Sequence, residues 1–167
     1  ATFAPKCEGA SGSHKPITVV DVPGEPRLNY QLLAELSSAT VLVCVLDATR
    51  LPTHAKEAAQ VLYDVLTHET VQRRAPALVI AANKSDVRGA ASPDSVRATL
   101  ETELQRVRLA RTTMQDISGS SLAKGSLADP DGPDFHFDQL RPAVQLLPTA
   151  AGEAPKLAPL LAALSQA

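Results

Sequence analysis

Residues 78–89 read LVIAANKSDVRG, and the break from apolar to polar at Asn83 decides how the rest of the chain is read. The run from Leu78 to Ala82 is apolar throughout, as in a strand covered on both faces. Asn83, Lys84, Ser85 and Asp86 then end it in a polar loop. A surface turn would account for such a loop. So would a device that presents a carboxylate and an amide to a ligand, and the surrounding sequence has to separate the two.

The same punctuation recurs along the chain. Apolar runs at Ile17–Val20, Val41–Leu46 and Val144–Leu147 are closed by Asp21, Asp47 and Pro148. Three of the four runs are apolar nearly throughout, which predicts parallel strands buried on both sides. Helical spacing fills the intervals. Leu28, Leu32 and Leu36 form one stripe, and Ala55, Ala58, Leu62, Val65 and Leu66 a second with Thr53 as its expected N-cap. Val96, Leu100, Leu104 and Val107 form a third, opened by Ser92 as cap and Pro93 in the first turn. Leu157, Leu160, Leu161 and Leu164 form the last. Strand and helix in alternation predict an α/β fold, a doubly wound and mostly parallel sheet with helices on both faces. Ligands of such sheets bind at the carboxyl ends of the strands, where the polar residues fall here. Residues 111–134 interrupt the rhythm with Ser, Thr, Gly, Asp and Pro and are expected to form a long polar loop.

Composition narrows the function. The chain has 167 residues, 44% of them hydrophobic and only 3% aromatic, which suits one domain with a core of Ala, Leu and Val. A net charge of −2 gives no basic field for a nucleic-acid backbone, so no direct nucleic-acid partner is expected. Cys7 and Cys44 have no metal-ligand spacing, and Cys44 is expected as a buried free thiol. No apolar run approaches the roughly 20 residues that span a bilayer, so the chain is expected to be soluble.

Two strand-end motifs carry chemistry. In DVPG, Asp21 can hold Mg²⁺ through water and Gly24 can offer a bare N–H to a terminal phosphate. In NKSD, the carboxylate of Asp86 can accept from N1–H and the exocyclic amine of guanine, a donor pair that adenine lacks. Asn83 would tie that loop together and touch the base, and the Lys84 stem would lie across the ring. Either motif alone fits an ordinary turn. Together, each ending a strand with another strand between them, they have the layout of the Ras-like GTPase fold.

The chain resembles the β subunit of the signal recognition particle receptor, a Ras-like GTPase family related to the Arf and Sar branch. The residues that carry the resemblance are ITVVDVPGEPRL, ATVLVCVLDATR, EAAQVLYDVL, PALVIAANKSD, TLETELQRVRLAR, FHFDQL and AVQLLPTAAG, across 16–167. It implies GTP or GDP with Mg²⁺ as ligands. It places the backbone N–H of Ala151 at guanine O6, with Gly152 where the family has Lys, and Thr2 as the Mg²⁺-reaching residue of the first switch. It puts Glu25 where the family orients the attacking water, so hydrolysis is expected to be slow. The partner it implies is the N-terminal domain of the receptor α subunit, held at the cytoplasmic face of the endoplasmic reticulum membrane, with ribosome and translocon reached indirectly.

The sequence departs from that pattern in one large respect. No G-x-x-x-x-G-K-[ST] phosphate loop (P-loop) precedes Asp21, and GSSLAKGS at 119–126 has Lys and Gly in the wrong order. The chain is therefore expected to be a fragment that lacks the first strand, the P-loop and the family's membrane anchor. Residues 1–15 would be an irregular remnant of the first switch and 16–167 the GTPase domain. Two alternatives stand beside this reading: another Arf- or Sar-like GTPase of vesicle traffic, and a scaffold that keeps the fold without binding nucleotide. Asp47 is expected as a cap or turn residue. His14, His54, His68 and His136 are expected as solvated side chains, and Arg106, Arg108 and Arg111 as a wet helix face.

Overall fold

The structure is a computed structural model that describes residues 2–3, 17–118, 127, 133–141, 143–151 and 156–165. Two sheets are present among these residues. Strand β1 (Thr2–Phe3) pairs antiparallel with β2 (Ile17–Thr18). Strands β3 (Val41–Asp47), β4 (Ala77–Asn83) and β5 (Val144–Pro148) form a parallel sheet in that order. The last three match the apolar runs of the sequence. The first run differs: its strand stops at Thr18 and pairs antiparallel, because an apolar run records burial and not the direction of its neighbour. Thr2–Phe3 form a strand within the stretch expected to be irregular.

Helix α1 (Asn29–Glu35) follows a 3-10 turn at Pro26–Leu28. Helix α2 (Leu51–Leu66) starts before the expected Thr53 cap, with Pro52 in its first turn and Arg50 at the cap position. The short α3 (Glu69–Arg74) is capped by His68, whose Nδ1 accepts from the Thr70 amide at 3.2 Å. His68 is thus a cap and not simply a solvated side chain. Helix α4 (Pro93–Ser118) opens as read, with Ser92 Oγ accepting from the Ser95 amide at 3.2 Å. It runs on to Ser118, so the polar segment expected as loop from 111 is helical through 118. The hydroxyls of Thr112 and Thr113 donate to the carbonyls of Arg108 and Leu109, which absorbs the polarity that reads as loop. Helix α5 (Ala158–Ser165) completes the order.

The main core lies between the sheet and the pair α2 and α4. Leu46, Leu78, Ile80 and Ala82 face Ala55, Ala59 and Leu62 of α2 and Val96, Leu100 and Leu104 of α4. Val79 and Ala81, which point the other way, are buried too, and α5 packs against β4 and β5. Strand β4 is therefore covered on both faces, as expected of a central parallel strand. Strand β3 is not: Leu42, Cys44 and Leu46 face the core, while Val43 and Val45 are 40% and 62% exposed. It is the edge of the parallel sheet among the described residues, and α5 lies over its neighbours instead. A second cluster of Leu36, Val65 and Val71 joins α1 and α3 to α2.

Arg108 corrects the reading of a wet helix face. It is 2% exposed and donates through Nη2 to the Pro133 carbonyl at 3.1 Å, under the segment that carries Phe135 and Phe137. Those two rings are buried and meet edge to face, with centroids 5.5 Å apart at 78°. Arg106 and Arg111 are exposed as expected.

Candidate functional site: the carboxyl ends of the parallel strands

In-register pairing sets the ends of the three parallel strands level, with Asp47 opposite Asn83 and Ala82 opposite Pro148. The loops that leave these ends are laced together by backbone hydrogen bonds. The Ala48 amide donates to the Asn83 carbonyl at 2.9 Å, and the Thr149 amide to the Ala82 carbonyl at 2.9 Å. The Ser85 amide donates to the Thr149 carbonyl at 3.0 Å, and the Ala91 amide to the Ala48 carbonyl at 2.9 Å. The Thr149 hydroxyl approaches Asn83 Oδ1 at 3.5 Å. Asn83 thus touches both neighbouring loops.

Lys84 has φ +62°, a left-handed conformation that a residue with a Cβ adopts at a cost. It turns the chain sharply out of β4, and the Val87 amide closes the turn on the Lys84 carbonyl at 3.1 Å. Gly89, at φ +87°, makes the next bend, where glycine carries no such cost. The Lys84 ammonium reaches back to Asp47 Oδ2 at 2.6 Å. Asp47 Oδ1 accepts from the Thr49 amide at 2.9 Å and the Thr49 hydroxyl at 2.6 Å. The Lys84 hydrogen bond first, and the Thr49 hydroxyl next, hold the Asp47 carboxyl well below the usual carboxylate range. Asp47 is a turn residue as read, but its grip on Lys84 is not written in either motif. The Asp-x-Thr spacing at a strand end signals the turn.

Asp86 and Ala151 are exposed, and neither the Asp86 carboxylate nor the Ala151 amide makes a hydrogen bond or ion pair among the described residues. The Ser85–Thr149 tie brings their two loops together. An open carboxylate and an open amide N–H match the N1–H, exocyclic amine and O6 edge of guanine, so the residues present fit that base. Gly152 lies outside the described residues.

The DVPG motif follows the other sheet, and β2 ends at Thr18, before Asp21. Asp21, Gly24 and Glu25 are exposed, and no hydrogen bond or ion pair joins them to the Asn83 loop. Glu25 pairs loosely with Arg27 at 3.9 Å, and its carbonyl accepts from the Leu28 amide at 2.8 Å. A Cβ on Gly24 would meet nothing within 4 Å, so the fold itself does not demand glycine there. Thr2 lies opposite Thr18 in the strand pair that leads to Asp21. No cluster of three or more His, Cys, Asp or Glu residues forms a metal cage among the described residues. A single carboxylate such as Asp21 suits Mg²⁺ that keeps its waters and binds phosphate oxygens. A cavity of about 170 Å³, lined by Leu66, Val71, Gln72 and Leu140 among others, lies by the segments that lead into β4 and β5, away from these loops.

A parallel sheet whose strand ends present an Asn-Lys-x-Asp loop to the solvent has the layout of the Ras-like fold. Comparison with known proteins identifies the branch. A family model described as signal recognition particle receptor beta subunit matches residues 3–144. The chain is 33% identical over 136 residues to signal recognition particle receptor subunit beta of Mus musculus, covering 81% of this chain and 51% of that protein. With the Homo sapiens protein the identity is 32% over 136 residues, covering 81% and 50%. Among solved structures, the mammalian SRP receptor superposes with a TM-score of 0.77 at 30% identity, covering 99% of this chain and 81% of that one. The signal recognition particle receptor SRb-GDP-Mg of Chaetomium thermophilum superposes at 0.72 with 24% identity, covering 87% and 77%. Its SRb-GTP/SRX complex superposes at 0.71 with 23% identity, covering 87% and 65%. The chain belongs to the signal recognition particle receptor beta subunit family. It spans about half the length of the curated relatives it matches.

Proposed function

We propose that this chain supplies the base-reading side of a guanine-nucleotide site, and that the whole protein works as a GTP-dependent receptor β subunit. The observation that carries the first part is an open Asp86 carboxylate and an open Ala151 amide on two loops that the Ser85–Thr149 hydrogen bond ties together. Guanine satisfies both groups. Adenine leaves the carboxylate facing an acceptor nitrogen, an unpaired contact that costs affinity. Asn83 holds the loop, and the Lys84 stem lies where a ring would stack. Asp21 holds Mg²⁺ through water, with Thr2 as a second contact, and Gly24 meets the terminal phosphate. Relatives named as SRb-GDP-Mg and as an SRb-GTP/SRX complex support this assignment of ligand and metal.

In this reading, GTP orders the segment from Asp21 to about Leu36 into a surface that binds the N-terminal domain of the receptor α subunit. The protein thereby holds that subunit at the cytoplasmic face of the endoplasmic reticulum membrane, where ribosomes reach the translocon. Among the described residues no helix is long and apolar enough to cross a membrane. Glu25 places a carboxylate where the attacking water must be oriented, and its repulsion of the terminal phosphate keeps hydrolysis slow.

The test is a titration of the full-length protein with fluorescent GDP and ADP, followed by capture of the α-subunit N-terminal domain. Guanine-selective binding and GTP-dependent capture are expected. Equal affinity for the two bases would remove the base-reading role. Capture that ignores nucleotide would favour a scaffold.

A further inference from the structure

We propose that Asp47 is a positioning residue of the base-reading loop: by gripping the Lys84 ammonium it fixes the Lys84 stem and the Asn83–Asp86 turn before a base arrives. The inference rests on the guanine-nucleotide reading above and deepens it, since neither strand-end motif contains Asp47.

Three relationships carry it. The first is register: Asp47 and Asn83 are partners at the last rung of β3 and β4, so Lys84 leaves the sheet beside Asp47. The second is the division of labour in the carboxylate. Oδ1 is held by the Thr49 amide and hydroxyl at 2.9 and 2.6 Å, which leaves Oδ2 aimed at Lys84 Nζ, 2.6 Å away. The third is conformation. Lys84 is left-handed at φ +62°, and its own side chain is still 55% exposed although its head is tied. A free lysine samples many rotamers and resists such a backbone; a lysine held at its far end has given up most of that freedom already. Its methylene stem then remains open on one side as an apolar shelf for a planar ring. The grip also joins the loop after β3, where α2 begins, to the loop that reads the base.

The choice of substitution isolates this contact. Asp47→Asn keeps an oxygen for Thr49 but turns an NH₂ toward the Lys84 ammonium, donor against donor. In the full-length protein loaded with fluorescent GDP, Asp47→Asn is expected to speed nucleotide release about tenfold, the effect of one charge-assisted hydrogen bond. In a Lys84→Met background the same substitution is expected to add almost nothing, because Asp47 acts through Lys84. A merely structural role would be felt in both backgrounds. Asp47→Ser, whose short hydroxyl can serve Thr49 but cannot reach Lys84, gives the same comparison if the Asn variant folds poorly. Unchanged release, or equal acceleration with and without Lys84, overturns the proposal while nucleotide binding stands. Wild-type protein that binds no guanine nucleotide overturns the proposed function, and this is read before any variant is made.

Discussion

The Ser85 amide and the Thr149 carbonyl meet at 3.0 Å, and this one backbone bond sets the spacing between the two groups proposed to read a base. Asp86 directly follows Ser85, and Ala151 lies two positions beyond Thr149. Thr149 is buried and is itself fixed by its amide to Ala82, so both readers ride on β4. Preorganisation of this kind costs nothing at the moment of binding.

Asp86→Asn follows directly. The amide would present a donor where guanine also presents donors, so GDP affinity is expected to fall about a hundredfold. Xanthine carries an oxygen in place of the exocyclic amine, and the variant is expected to gain affinity for xanthosine diphosphate. A titration with the two diphosphates checks both. A loss for both bases would point to a collapsed loop and not to base reading.

Glu25→His tests the slow-hydrolysis reading. Glu25 is exposed, and among the described residues its carboxylate pairs only with Arg27 at 3.9 Å, so replacing the side chain disturbs no packing. Removing the carboxylate from beside the terminal phosphate is expected to raise single-turnover GTP hydrolysis in the full-length protein about tenfold. Phosphate release with unchanged rate would remove Glu25 from the water-positioning place.

Cys44 gives a pH dependence whose sign can be worked out. Its thiol faces the core from β3, and burial pushes it from 9.0 up to about 11. Between those values the unfolded chain has released a proton that the folded chain retains. Unfolding then liberates protons, and stability falls as pH rises through that window. Below about 9 the contribution is fully present. Urea melts at pH 8, 9, 10 and 11 are expected to show a decline that is weaker in Cys44→Ala. Tyr63, also raised by burial, titrates in both proteins, so the comparison isolates the thiol.

The parallel sheet was legible in the sequence because its strands are short apolar runs ended by polar residues, and burial writes itself into such runs. The place of Asn83 and Asp86 at the end of β4 was legible for the same reason, since the apolar run stops at Asn83. The direction in which Ile17–Thr18 pairs was not, since side-chain patterning is the same in either direction. Nor was the length of α4, where threonines that favour loops elsewhere donate back to Arg108 and Leu109. Arg108 was misread because a guanidinium is buried only when a distant carbonyl receives it, and Pro133 is far away in sequence. The pairing of Asp47 with Lys84 depends on strand register, which no local motif records.

The same dependence on distant partners makes Glu101 a sharp test of how the segment around Phe135 is held. Its Oε1 accepts from the Phe137 amide at 2.9 Å and its Oε2 lies 3.1 Å from His136 Nδ1. One turn further along α4, Gln105 Oε1 accepts from the Phe135 amide at 3.2 Å. Phe135 and Phe137, on either side of the extended His136 and with Phe137 opening a 3-10 turn, are thus fastened to successive turns of one helix, while their rings fill the core. Glu101→Ala leaves the Phe137 amide buried without its acceptor, and is expected to destabilise the fold by about 1–3 kcal/mol. Glu101→Gln keeps an acceptor for Phe137 and loses only the charge facing His136 and Arg97, so a smaller loss is expected. Chemical denaturation of the two variants checks the order. Equal losses would mean that the charge, and not the amide contact, holds the segment.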